Sequence, residues 1–187
     1  MKAAACAPRG GRARQHGFTL VELVVVIVVT GILAAVVSTR FMDRNVMDSR
    51  AFADQGGALI RYAQKMAIAQ NRDVWVLIAN GGIKLCYTAA CAAADRVPAP
   101  GGTNSESSAT NAFCLAISTW ACEAPPTGVT LGATVNFYFD PVGKPFAQAD
   151  TSPTNVSTFT SPLAVAVQST GLANRTVTVE AETGYVH

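Results

Sequence analysis

The feature that most constrains this chain is the run from Phe18 to Val37, in which only Thr19, Glu22 and Thr30 are clearly polar. About 20 consecutive apolar residues, coiled as a helix, match the thickness of a bilayer's hydrocarbon core. The run explains why half of all residues are hydrophobic, only 14% are charged, and mean hydropathy is +0.28. Ahead of it lie Lys2, Arg9, Arg12 and Arg14 with no acid among them, so the whole chain carries +2 but the part after Gly17 carries −2. Residues 1–17 have no apolar centre of their own and do not form an ordinary secretory signal. The positive-inside bias holds the basic segment in the cytoplasm and sends everything after Val37 outward. The mildly acidic remainder argues against bulk electrostatic attraction to nucleic acid or an anionic membrane.

Glu22 stands out within the run. A carboxylate at the centre of a bilayer costs about 2.5–3.5 kcal/mol on insertion scales, less near an end, and calls for a partner. A cut between Gly17 and Phe18 would create an amine four residues before Glu22. A neighbouring copy's amine could then neutralise the carboxylate and set axial register between subunits. The simpler alternative is that Glu22 sits at headgroup level.

The segment Gly17-Phe18-Thr19-Leu20-Val21-Glu22, behind a basic leader and ahead of an unbroken apolar run, resembles the class III signal of type IV prepilins and type II secretion pseudopilins. The resemblance implies a membrane prepilin peptidase that cuts after Gly17 and methylates Phe18, with Glu22 aiding recruitment into a filament. It also implies other major and minor pilins or pseudopilins as partners. The expected location is the bacterial inner membrane, crossed once, with the C-terminal domain in the periplasm, and then a pilus or pseudopilus.

Past the membrane segment the apolar positions narrow to a stripe, with Phe52, Leu59, Tyr62, Met66 and Ala69 separated by Arg50, Asp54, Arg61 and Lys65. This is amphipathic helix spacing. The organisation expected is a leader over 1–17, a transmembrane and assembly helix over 18–38, an amphipathic stem over 39–70, and a β-rich globular domain over 71–187. Gly56 and Gly57 weaken the stem locally, and no proline interrupts it, which predicts a less kinked stem. After Asn71 the period becomes two. Asp73–Ala79 and Ile83–Tyr87, with Asn80-Gly81 between them, predict a hairpin. Val135–Phe139, Leu163–Val167 and Thr176–Glu180 predict three more strands, with Val177 and Val179 facing the core and Thr176, Thr178 and Glu180 facing water. The fold class is α+β: a long N-terminal helix packed on an antiparallel sheet.

The turn Phe139-Asp-Pro-Val-Gly143, the strand Val177-Thr-Val-Glu180 and the ending Thr183-Gly-Tyr-Val186 resemble the GspH/FimT-type minor pseudopilins. Tyr62–Gln70 and Glu182–His187 are most similar to the minor pilin of mannose-sensitive haemagglutinin (MSHA) pili. A type II secretion pseudopilin is the nearest alternative. Some members of that family bind DNA through arginines in a C-terminal Gly-Arg-x-Arg motif; here Gly184-Tyr185-Val186-His187 stands in that place, so nucleic acid is not an expected partner and a DNA-receptor minor pilin is kept only as the second alternative.

Four cysteines follow the leader: Cys86, Cys91, Cys114 and Cys122. Short loops favour pairing Cys86 with Cys91 and Cys114 with Cys122, among three connectivities. A zinc site and free buried thiols are the alternative readings. The only histidines are His16 and His187, no phosphate-binding glycine motif is present, and no residue set suggests a catalytic centre, metal or cofactor. Glu180 and Glu182 read as one exposed strand face rather than a carboxylate pair. Residues 88–110, rich in Ala, Pro, Gly and Ser, read as a long surface loop with an open role.

Overall fold

The computed structural model describes residues 18–79, 81–132, 135–150, 156–169, 171 and 173–187, with the backbone alone for 36–44. Two units emerge, Met1–Phe41 and Met42–His187, and helix α1 (Leu20–Gln70) contributes to both.

In the second unit α1 presents Phe52, Ala53, Ile60, Ala63 and Ala67 to the core, a three-and-four spacing that puts them on one face. This stripe is rotated slightly from the one expected: Ile60 and Ala63 are fully buried, whereas Ala69 is exposed. Tyr62 and Met66 lie at its margin. Small residues on a helix let a sheet come close. A Cβ at Gly56 would stand 3.0 Å from Ile83 Cδ1, so what reads in sequence as a weak point is a place of close packing.

β1 (Val74–Ala79) and β2 (Gly82–Cys86) form the predicted hairpin, with Trp75 opposite Cys86 and Ala79 opposite Gly82. Its Asn80 lies outside the described residues; Gly81 adopts φ +101, as a tight turn requires. β3 (Cys122–Glu123), β4 (Val129–Leu131), β5 (Asn136–Phe139), β6 (Pro145–Ala147), β7 (Leu163–Ser169) and β8 (Arg175–Val179) complete the sheets. Five strands pair antiparallel in the order β3-β2-β1-β5-β6, and three in the order β4-β7-β8. All five expected strands are present. β3, β4 and β6 were missed, being two or three residues long and too short to show a period.

Alternation along β1 sends Val74, Val76 and Ile78 into one core with α1, Phe137, Phe139, Val165, Val167, Val177 and Val179. Leu77 points the other way, into a second cluster with Cys86, Cys114, Trp120 and Cys122. The 88–110 segment is therefore not a structureless loop. It carries a 3-10 turn at Ala93–Asp95, bridges Cys86 to Arg96 and Pro98 to Trp120, and enters helix α2 (Ser108–Phe113). Val97 and Thr110 are fully buried.

The C-terminal end closes against α1. Val186 bridges Val179, and Gln64 Nε2 donates to the carbonyls of both Gly143 and Thr183, at 2.9 Å each. The Asp140–Gly143 turn is held by Asp140 Oδ1, which accepts from the amides of Val142 (3.0 Å) and Lys144 (2.8 Å). Residues 181–183 form a turn rather than a continuation of β8, so Glu180 and Glu182 do not share a strand face.

Candidate functional site

The N-terminal helix begins with a cap that the sequence reading passed over. Thr19 lies just before α1; its Oγ1 accepts from the Glu22 amide at 3.2 Å, and its carbonyl accepts from the Leu23 amide at 3.2 Å. Thr-x-x-Glu ahead of an apolar run is the capping-box spacing, and it was visible in the sequence. Glu22 is accordingly in the first turn of α1, where the helix dipole favours a carboxylate. Whatever partner Glu22 takes, its position at the start of the helix is fixed by this local bonding.

The rest of the segment is apolar on every side. From Phe18 to Ala35 every residue is exposed, with the large side chains between 47% (Val29) and 79% (Leu20) accessible. A soluble monomer rarely displays apolar patches beyond a few hundred Å², so this surface calls for lipid or other apolar helices around it. The one interior hydroxyl does not interrupt it: Thr30 Oγ1 donates back to the carbonyls of Val26 (2.8 Å) and Ile27 (3.1 Å). Among the described residues no helix is long and apolar enough to cross a membrane; the side chains of 36–38, which complete the expected span, lie outside them. Gly17 also lies outside them, while Phe18 is placed at the exposed start.

The four outer cysteines are joined as Cys86–Cys91 (Cα–Cα 5.3 Å) and Cys114–Cys122 (Cα–Cα 6.0 Å), the pairing that the short loops favour, and not gathered around one point as a zinc site requires. Cys114–Cys122 ties the end of α2 to β3. Around it Trp120 Nε1 donates to Leu85 O at 2.8 Å, and the Arg96 guanidinium lies 4.6 Å over the Trp120 ring. Glu123, a buried carboxylate, accepts from Ser105 N (2.7 Å), Ser105 Oγ (2.5 Å) and Thr110 Oγ1 (3.0 Å).

The two C-terminal carboxylates are engaged separately. Glu180 pairs with His187 Nε2 (3.0 Å) and Glu182 with Lys144 Nζ (2.9 Å), so each carboxylate has its own basic partner. Burial, and then the negative charges of Asp73, Asp150 and Asp140, push the Tyr138 hydroxyl up to about 12; it donates to Asp150 O at 3.3 Å and carries no proton chemistry near neutral pH.

Comparison with known proteins agrees with the N-terminal geometry. The prokaryotic N-terminal methylation motif is matched over residues 12–38, covering Arg12, Arg14, Phe18, the Thr19–Glu22 cap and the exposed apolar turns. The chain thus carries a prokaryotic N-terminal methylation motif. It is 39% identical over 61 residues to the type IV narrow pilus major component PilA5 of Thermus thermophilus, an overlap of 33% of this chain and 53% of that protein. The chain thus spans about half the length of that curated relative. Two crystal forms of the type IV minor pilin FimU of Pseudomonas aeruginosa overlay with TM-scores of 0.42 and 0.45 at 13% and 14% identity, covering 74% and 79% of this chain and 90% of each FimU chain. The described residues hold one long N-terminal helix followed by antiparallel sheets, and the methylation motif runs into that helix.

Proposed function

We propose that this chain is a prepilin processed between Gly17 and Phe18, methylated on Phe18, and assembled as a minor, non-catalytic subunit of a type IV pilus of the MSHA kind, with the inner membrane as its store. The observation that carries the reading is the exposed apolar helix from Phe18 to Ala35, capped by Thr19 and bearing one carboxylate in its first turn. A uniformly apolar surface can pass from lipid to a bundle of other subunits' helices with little change in solvation, and Thr30 adds no unsatisfied polar group in either setting. Within such a bundle Glu22 neutralises the Phe18 amine of a neighbouring subunit, which fixes the axial step. Prepilin peptidase and other pilins are its partners, and residues 42–187 stand in the periplasm before assembly. A minor pseudopilin of a type II secretion system shares every one of these features and is the second reading.

Intact-mass measurement and N-terminal sequencing of the chain co-expressed with a prepilin peptidase test it. A mature chain beginning at methylated Phe18, absent for Gly17→Trp, is the expected result. An uncut chain would leave a plain membrane-anchored domain and end the proposal.

A further inference from the structure

We infer that the second unit carries a binding site for one compact oxyanion, a carboxylate or phosphate, in a cleft between α1 and the start of β8. Arg50, Asp54 and Arg61 come from one face of α1, Arg175 opens β8, and His187 closes the far side around about 310 Å³ of space, at the small end of ligand clefts. Three guanidiniums thus share the cleft with one lining carboxylate, Asp54, while the His187 imidazole at its edge is held by Glu180 at 3.0 Å. These groups are remote in sequence, and Arg175 taken alone reads as a solvated surface residue; only the packing of β8 on the helix gathers them.

One wall of the cleft is ordered by Arg61, whose guanidinium lies back across the helix so that Nη1 donates to Val186 O at 3.2 Å. Arg61 is anchored by that bond. The side chains of Arg50 and Arg175 make no ion pair or hydrogen bond among the described residues, although Asp54 shares the cleft with them. Their forks are free for the paired donation that suits planar oxyanions.

The same observations separate a compact anion from a polyanion. Nucleic acid binds through many phosphate contacts along a continuous basic track. Here the cations are confined to one cleft that also holds Asp54, on a chain whose charge after Gly17 is −2. The ligand is therefore a small free anion or one acidic side chain offered by another protein. The inference stands independently of the leader and its processing.

The test is calorimetric titration of the full chain in nonionic detergent with citrate and, separately, with acetyl-Glu-Glu-amide, in wild type and in the Arg50→Gln/Arg175→Gln double variant. Because neither side chain holds the fold together, the variant should keep the wild-type Tm. Saturable binding of either probe, weakened about tenfold or more in the variant, is expected. Citrate alone would identify a free anion as the source, and the dipeptide a protein carboxylate. Absence of saturable binding by both probes, or equal affinity in the double variant, would overturn the site. So would salt-sensitive capture of duplex DNA lost in the same variant, because the groove would then serve a phosphate backbone.

Discussion

The two faces of the hairpin β1–β2 are held by different physics. On the α1 side, Val74, Val76 and Ile78 meet Ile60, Phe137 and Val177 in an aliphatic and aromatic core without a covalent link. On the other side, Leu77 and Cys86 meet Trp120, Cys114 and Cys122 under elements of two to six residues, and two disulfides close short loops there. Regular elements bury enough surface to hold themselves; short ones do not and need fastening. The lesson is that one strand pair supports a core specified by periodicity on one face and a core specified by staples on the other.

The contrast can be broken most forcefully from the first side. Phe137→Ala removes a fully buried ring that contacts Phe139 and Phe159 and should destabilise the second unit by about 3–5 kcal/mol in urea unfolding. A loss under about 1 kcal/mol would mean that the staples and not this core dominate. Next in size, Cys114→Ala with Cys122→Ala opens a loop of sequence separation 8 and should cost about 2–3 kcal/mol. Hydrogen exchange should locate the loosening in residues 97–123, sparing α1 and β5; uniform loosening would erase the distinction between the faces.

Glu123→Gln sharpens it. The three donors on this buried carboxylate would meet an amide that can accept at only one atom, with a loss of about 2 kcal/mol and faster exchange at Ser105. The smallest effect belongs to Asp150. Burial raises its carboxyl, but hydrogen bonds from the Thr158 hydroxyl and the amides of Thr158 and Ala147 outweigh that and lower it below the ordinary carboxylate value. Its contribution is fully present above that ordinary value and is lost as pH falls through the lower folded one. Asp150→Asn should flatten this part of the acid limb of a stability-against-pH curve, and an unchanged limb would assign the acid sensitivity elsewhere.

The first face was largely legible. Period-two runs at Val74–Ala79 and Thr176–Val179 and helical spacing around Phe52 and Leu59 carry their own evidence, though Ile60, Ala63 and Ala67 were overlooked because alanines do not stand out as core. The second face was legible only in its cysteines. β3 is two residues long, the bridge from Pro98 to Trp120 depends on partners far along the chain, and Thr110 is buried because Glu123 binds it rather than because of any local pattern. The apolar N-terminal run was plain in sequence, whereas the Thr19 cap needed attention to one hydroxyl. The guanidinium cleft could not be read at all, since Arg50, Arg61 and Arg175 share no motif.

Gln64 has a consequence for local opening. A single amide nitrogen bonds carbonyls that lie 79 and 119 residues away along the chain. If either carbonyl leaves, the amide loses half its reason to keep its rotamer, and the other bond weakens with it. The Asp140–Gly143 turn and the segment from Thr183 onward should therefore exchange their protected amides together, as one small cooperative unit, at a free energy below that of global unfolding. The end of the chain and a turn far from it in sequence would breathe in step because one side chain on α1 holds both.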